Sequence, residues 1–503
     1  MLTTNKAKVS DWLVLAFVAV GSLTVGWMIA QGRFLWLGAV GFVTFLALCV
    51  VRPILASSLV LSFAFINPSL LPPVKEVGEF TIRYIDGAIV FLSFAIFLRL
   101  AVQRHKLIEK EIEKEWWSIF RPLLPFLIYI GMSLGLVWIY VPDFLLVSVA
   151  SYARLVVTVL LGFLIYMSLG TEKDMWLFTR LIVMFVAISI IVGIWEAIAS
   201  PQKDAVITGR YGGLLGFNTF GLVAGLLVLW AVIVRANKGQ RRLWVIPLVT
   251  GTLGLFLSKS GSSILATIGA ILFFRIAFNR RKGTTQGTWL LQLALVGVLG
   301  FALAVGSLRL LRPSDFFGLA NLSGGSYAQR VMIAYGALQI FLSHPLFGVG
   351  WQASSTKAII GDPTLNEMLM QAFPELPTHY FPLERPTSLH NLYLQLLVEL
   401  GIVGFSLFIY GVVRVGIAIA NILKQIPYQS SYRQLVLFNA IGLVYLLIWW
   451  NTNPLFGGQT ESILAITFLS FLAALWRLQR QNHREWFANL NTSFTKKSLS
   501  QFR

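Results

Sequence analysis

The sequence is poor in cysteine and in charged residues. Of its 503 residues only Cys49 is a cysteine, which excludes a disulfide framework and a thiolate metal site within the chain. Charged residues make up 12% of the chain, whereas 57% are apolar, more than a soluble domain of this size buries. Repeated apolar runs of about 16–25 residues instead predict a polytopic membrane protein.

These runs predict the fold class: an all-α polytopic membrane protein with about 12–14 transmembrane helices and one large outward-facing loop. The runs at 53–71 and 243–257 are the weakest, because they are short or interrupted by polar residues. The predicted spans are 12–30, 34–51, 53–71, 87–102, 122–141, 145–168, 176–199, 219–235, 243–257, 262–278, 290–310, 390–412, 434–451 and 462–477.

The net charge of +19 is explained by the charge bias of cytoplasmic loops, so we expect no nucleic-acid partner. With the N-terminus inside, the basic clusters at 235–242 and 280–282 are cytoplasmic, as are both termini. The mixed-charge segment 104–117 is predicted to be a helix on the membrane surface, and the basic tail after Arg477 to lie near anionic lipid. The outward segments are then 200–218, the turn Ser258–Gly261 and the loop 311–389.

The outward loop is longer than a connection requires, which is typical of functional loops. Ser326 and Gln329 match a capping box and predict a helix to about Ser343, ended by His344 and Pro345. After Trp351 five prolines predict no regular structure. We divide the chain into N-terminal transmembrane helices at 1–199, a core at 200–412 that includes the loop 311–389, and C-terminal helices with a basic tail at 413–503.

His390 stands at the start of the apolar helix that follows this loop. Eleven residues separate it from Gly401, about three helical turns, so the two are predicted to share one face with Gly404 nearby. Ser388 is the predicted N-cap, which places His390 in the first turn, where the helix dipole favours a neutral imidazole suited to a general base. The alternative is a histidine that only caps the helix or hydrogen bonds at the lipid interface. Glu399 lies off this face and is expected to pair with a cation such as Arg154.

Three further cations are predicted on the outer side. Arg330 lies in the first turn of the capped helix, where free amides and a guanidinium can bind an anion together; the alternative is a surface arginine. Arg210 lies in a glycine-rich loop that ends at Asn218, and Lys259 lies between two serines. Arg154 lies within a span, where a charge is usually functional or paired.

Several common site patterns are absent. The sequence has no GxxxxGK[ST] loop and no DxD motif, and its five histidines lack metal-ligand spacing. We therefore expect no metal and no cofactor, and a diphosphate held by arginines.

The pattern His390-Asn391, nine residues, Gly401, two residues, Gly404 resembles the O-antigen ligase and O-antigen polymerase family of bacterial envelope enzymes. The segments Arg210–Asn218 and Pro345–Gly350, and Arg330 itself, support the resemblance. One departure is that members often carry Ser-Arg-Gly where this chain has Ser260-Gly261-Ser262, with Lys259 nearby.

The resemblance implies a metal-independent, inverting glycosyltransferase of GT-C-like fold in the inner membrane, with its active site on the periplasmic side. The donor would be a glycan on undecaprenyl diphosphate, and the acceptor a lipid-linked repeat or lipid A core. His390 would activate the acceptor hydroxyl, while Arg210 and Arg330 would hold the diphosphate. A chain-length regulator or a flippase is the protein partner that this class of enzyme allows.

Two other functions remain open at this point. The first is a transporter of a small anion such as bicarbonate, for which inverted repeats and broken helices are expected. The second is a non-catalytic scaffold for envelope assembly. Between the two reactions of the family, the absence of an arginine at Ser260-Gly261-Ser262 slightly favours polymerase over ligase.

Overall fold

The computed structural model describes residues 51–66, 75–77, 80–82, 110–199, 217–235, 244–258, 260–278, 326–383, 386–426, 430–451 and 459–500, and the single residues 44, 45, 47, 48, 89, 90, 92, 93 and 215. The regular secondary structure of the described part is helical apart from a two-stranded antiparallel pair, β1 (Lys75–Val77) and β2 (Phe80–Ile82), which the sequence did not predict. The helices are α1 (Pro53–Phe65), α2 (Lys110–Phe120), α3 (Leu124–Tyr140), α4 (Leu145–Ser168), α5 (Glu172–Ala199), α6 (Phe217–Arg235), α7 (Val245–Ser258), α8 (Gly261–Phe278), α9 (Ser326–Ser343), α10 (Pro363–Ala372), α11 (Leu392–Gln425), α12 (Ser431–Trp449) and α13 (Gln459–Ser500).

The all-α polytopic fold class is confirmed. Within the described residues, six helices are long and apolar enough to cross a membrane: Lys114–Tyr140, Pro142–Ser168, Glu172–Trp195, Leu392–Gln425, Tyr432–Trp449 and Thr460–Gln481. Shorter apolar helices cover all of α7 and parts of α1, α6 and α8. The predicted spans 12–30 and 290–310, and most of 34–51 and 87–102, lie outside the described residues.

One hydrophobic core joins helices from all three predicted segments, from Ile54 in α1 to Leu478 in α13. Small residues allow the closest helix contacts within it. A Cβ at Gly225 of α6 would meet the hydroxyl of Tyr445 in α12, and that hydroxyl donates to the carbonyl of Leu222 at 3.0 Å. The division of the chain at 1–199, 200–412 and 413–503 remains a prediction.

Arginines hold the helix ends together at one end of this bundle. Arg477 of α13 donates to the carbonyl of Leu169, just after α4, at 2.6 Å, and Arg433 of α12 donates to the carbonyl of Leu423 in α11 at 2.9 Å. These guanidiniums satisfy carbonyls that helix C-termini leave unpaired. The described segments predicted to face outward gather at the other end, which we call the site end. Which side of the membrane each end faces remains a prediction.

The predicted surface helix at 104–117 is described only from residue 110 onward, as α2. Its Trp116 is buried in the core, and its Glu115 pairs with Arg480 of α13 at 3.1 Å. The described part of this segment therefore packs against the protein, because its apolar face has helices to cover it.

The outward loop is more regular than predicted. Helix α9 has the predicted bounds, but α10 forms where the prolines suggested no regular structure. Pro363 occupies the first turn of α10, a position that needs no N–H donor, and Asp362 caps the helix by accepting from the amide of Leu365 at 3.0 Å. A second apolar cluster, which includes Ile333 and Leu369, packs this loop against Val137 of α3 and Val398 of α11.

Candidate active site

Helix α11 begins two residues after His390, at Leu392, and its N-cap is Asn391 rather than the predicted Ser388. The side-chain oxygen of Asn391 accepts from the amide of Leu394 at 3.1 Å. Ser388 instead accepts from the amide of His390 at 3.3 Å, forming a local turn. The prediction that His390 lies in the first helical turn is therefore wrong, because the stronger cap lies three residues further along the chain.

His390 adopts a left-handed backbone conformation, with φ of 50°. Non-glycine residues in this region cost about 1–3 kcal/mol and often occur at functional sites. The side chain is exposed, so a substrate can reach the ring. The conformation turns His390 out of the helix while keeping it beside the helix N-terminus.

Two effects lower the pKa of His390 below its ordinary value. The larger is partial burial, because protein atoms crowd the ring even though the side chain is exposed overall; the second is the positive charge of Arg330 in α9. Both disfavour the imidazolium form. The structure therefore brings together two residues that lie sixty positions apart and that the sequence analysis proposed separately, and it favours a neutral imidazole at neutral pH.

Helix α11 is broken at Gly401, where φ is 63° and ψ is −169°. The segment Pro345–Gly350 enters this break. The amides of Val349 and Gly350 donate to the carbonyls of Val398 and Glu399 at 2.9 and 2.8 Å, and the amide of Ile402 donates to the carbonyl of Pro345 at 2.9 Å. Backbone groups freed by the break thus find partners on the Pro345–Gly350 segment, as an apolar environment requires.

The break changes the reason for the glycines. His390 and Gly401 do not share a face of one continuous helix, because His390 precedes α11 and the helix is interrupted at Gly401. A Cβ at Gly401 would meet the carbonyl of Leu346, and a Cβ at Gly404 would lie 2.8 Å from the ring of Tyr129 in α3. The predicted close approach is therefore present, but at Gly401 the neighbour is a loop backbone.

The end of α12 supports the residues next to His390. Asn391 donates through its side-chain amide to the carbonyl and the side-chain oxygen of Asn451 at 2.8 and 3.2 Å, and the amide of Leu392 donates to the carbonyl of Trp450 at 2.9 Å. Sequence reasoning missed Asn451, since nothing in the local pattern links residues sixty positions apart.

The same end of α12 reaches the serine-rich turn before α8. The indole of Trp449 donates to Ser263 at 3.2 Å, and Ser263 shares a hydroxyl cluster with Ser260 at 2.9 Å. Lys259 lies outside the described residues, but its neighbours Ser258 and Ser260 are buried at this end of the bundle. A Cβ at Gly221 of α6 would lie 2.8–2.9 Å from these serines, which places the start of α6 there as well.

The remaining predicted residues divide as follows. Asn218 lies in the first turn of α6, while Arg210 lies outside the described residues. Arg154 is half-buried in α4. The expected pairing of Glu399 with a cation such as Arg154 is wrong: Glu399 accepts instead from Ser354 at 2.5 Å and from Gln395 at 3.0 Å. Because its carboxyl has polar partners on the outward loop and on α11, Glu399 does not require a distant cation.

Among the described residues, no group of three or more histidine, cysteine, aspartate or glutamate side chains could hold a metal ion. The expectation of no metal and no cofactor remains a prediction.

Residues 246–409, which include Arg330, His390, Gly401 and Gly404, match the family model described as O-antigen ligase. The chain therefore carries a domain of the O-antigen ligase family. The match supports glycosyl transfer of the O-antigen ligase or polymerase type, and it begins after the Arg210–Asn218 segment, so that segment lies outside the matched domain. None of the curated proteins matches the chain.

Substitutions at Asn391 test how the O-antigen ligase domain holds its histidine. Asn391→Ala removes the helix cap, worth about 1 kcal/mol, and the link to Asn451, whereas Asn391→Asp keeps a capping oxygen and loses only the link. We expect the thermal unfolding temperature of the solubilised protein to fall for both, and further for alanine. Asn421→Ala, at an exposed position in α11, is the control. Equal melting of the two variants would contradict the assigned cap.

Proposed function

We propose that the protein transfers a glycan from undecaprenyl diphosphate to a sugar hydroxyl, by a metal-independent and inverting mechanism, at the periplasmic face of the inner membrane. The observation that carries this proposal is the exposed, strained His390 beside the guanidinium of Arg330 at the site end of a membrane bundle. A neutral imidazole and a cation are the two groups that this reaction requires of the protein.

The acceptor hydroxyl would donate its proton to the neutral ring of His390 as its oxygen attacks the anomeric carbon. The bond from that carbon to the diphosphate oxygen breaks, and the electron pair leaves with the diphosphate. Arg330 stabilises the charge that develops on the leaving group, and Arg210 and Lys259 are proposed to do the same. Attack opposite the leaving group inverts the configuration of the anomeric carbon. Asn391, Gly401 and Gly404 position the ring, and binding both lipids side by side supplies proximity.

Polymerase and ligase share this chemistry and differ in the acceptor, which is a lipid-linked repeat or lipid A core. The sequence Ser260-Gly261-Ser262, where many family members have an arginine, continues to favour the polymerase slightly. A flippase that delivers the donor and a chain-length regulator are the proposed protein partners.

Arg330→Gln should shift the acid limb of the pH–rate profile to higher pH. The charge of Arg330 disfavours the imidazolium, so removing it raises the pKa of His390 towards 6.5, and the active neutral form is lost sooner as pH falls. We also expect KM for the donor to rise by about 10-fold, since a charge-assisted contact is lost. Arg414→Gln, an exposed arginine further along α11, is the control. An unshifted acid limb would contradict the assigned pair.

The broken helix at Gly401 is the one observation that favours the alternative, a bicarbonate-like transporter, because transporters bind ions at such breaks. Here the carbonyls of Val398 and Glu399 are already occupied by loop amides, and the carbonyl of Leu400 accepts from Tyr129 at 3.2 Å. The break is therefore filled with protein, which favours the enzyme.

Purified protein in lipid nanodiscs, supplied with a defined undecaprenyl-diphosphate glycan and a sugar acceptor in the presence of a chelator, tests the proposal. Elongated product with inverted anomeric configuration is the expected result. Absence of product with every acceptor, together with bicarbonate uptake by proteoliposomes, would establish the transporter instead. Absence of both activities would favour the scaffold.

A further inference from the structure

Glu399 is a fully buried acid in the first half of α11, two residues before the break at Gly401. Its side chain accepts from the hydroxyl of Ser354 in the outward loop and from the amide of Gln395 in α11. The carboxyl therefore joins two parts of the chain that are 45 residues apart. No step of the proposed reaction uses it.

The contact with Ser354 continues towards His390. The neighbouring residue Ser355 accepts through its carbonyl from the amide of Thr387 at 3.0 Å. Thr387 is followed by Ser388, whose hydroxyl accepts from the amide of His390. A short series of hydrogen bonds thus runs from the carboxyl of Glu399, through the Ser354–Ser355 turn, to the segment that enters His390.

This arrangement is a poor way to gain stability. Burying a carboxyl among apolar side chains is costly, and an apolar residue of similar volume is often neutral or better. The side-chain oxygen of Gln395, the neighbour of this carboxyl, is buried and has no hydrogen-bond partner among the described residues. The strained backbone of His390, by contrast, requires surroundings that hold it in place.

We propose that Glu399 is a positioning residue for His390, acting through the Ser354–Ser355 turn and Thr387. It docks the segment before His390 onto α11 and so holds the imidazole beside Arg330. The catalytic purpose of this positioning rests on the proposed function, whereas the positioning of the ring does not depend on that function.

Glu399→Leu, Ser354→Ala and the double variant test the proposal in the full-length protein. We expect kcat to fall by about 10–100-fold in each, because small misplacement of a reacting group is costly, with KM for the lipid donor changed little. The double variant should be no worse than the worse single variant, since both remove the same link. Ser189→Ala removes a buried hydroxyl with only a local helix bond in α5 and is the matched control.

A second measurement does not depend on turnover. In protein labelled with ¹³C-histidine, the NMR signal of His390 is the one that disappears in His390→Gln. The pKa obtained by titrating this signal reports the surroundings of the ring. Release from the surrounding protein and from Arg330 should raise its pKa towards 6.5 in Glu399→Leu and Ser354→Ala. We expect the melting temperature of Glu399→Leu to be unchanged or higher.

The outcomes separate the two proposals. A raised pKa of His390 without any transfer by the wild type would support the positioning and refute the proposed function. An unchanged titration with unchanged kcat would overturn the positioning, as would a loss of melting temperature that leaves both the titration and kcat intact.

Discussion

His390→Gln should lower the rate of glycan transfer by about 10²–10⁴-fold, the contribution typical of a general base. Glutamine fills a similar volume but cannot accept the proton of the acceptor hydroxyl. The side chain of His390 is exposed, and its backbone conformation does not require an imidazole ring. The lower rate should therefore not result from unfolding of the protein. The measurement is the single-turnover rate of transfer from a defined lipid-linked donor.

His379→Gln is the matched control, since His379 is an exposed histidine of the same outward loop. It should transfer at the wild-type rate. The melting temperature of His390→Gln and its affinity for a diphosphate lipid should both stay near those of the wild type. Transfer at the wild-type rate by His390→Gln would remove the proposed base from the mechanism.

Gly401→Ala should destabilise the protein by at least about 3 kcal/mol, or prevent its accumulation in the membrane. The φ and ψ of Gly401 lie in a region that is essentially restricted to glycine, and a Cβ there would meet the backbone of Leu346. The backbone of Leu346 cannot move away from Gly401 without breaking the hydrogen bonds between α11 and Pro345–Gly350. The measurement is the thermal unfolding of the solubilised protein, together with its yield.

Gly416→Ala is the control for this effect. Gly416 lies in the same helix, and a Cβ there would have no neighbour within 4 Å. Alanine favours a helix interior by about 1 kcal/mol over glycine, so this variant should be as stable as the wild type or more so. Similar melting of Gly401→Ala and Gly416→Ala would show that α11 is continuous.

The sequence predicted what depends on local pattern. Apolar runs located the long membrane helices that the structure describes, and the Ser326–Gln329 pattern located α9, because both follow from neighbouring residues. His390 and Arg330 were each identified by residue type and placement, although not as two residues whose charges interact.

What the sequence could not show depends on distant contacts. The spacing from His390 to Gly401 was interpreted as three turns of one helix, since no local signal indicated that a segment fifty residues earlier would enter it. The side chain of Asn391 is held in part by Asn451, and one of the two partners of Glu399, Ser354, lies on the outward loop. Prolines at 363 and 374 were taken to exclude regular structure, whereas Pro363 is the first residue of α10 and Pro374 follows its end.

The most direct measurement is an experimental structure of the protein with a non-hydrolysable undecaprenyl diphosphate analogue. The account predicts diphosphate oxygens within about 3 Å of the guanidinium of Arg330, and the anomeric carbon within reach of a hydroxyl bound to the ring of His390. A diphosphate bound at the opposite end of the bundle, near Arg477 and Arg433, would contradict it.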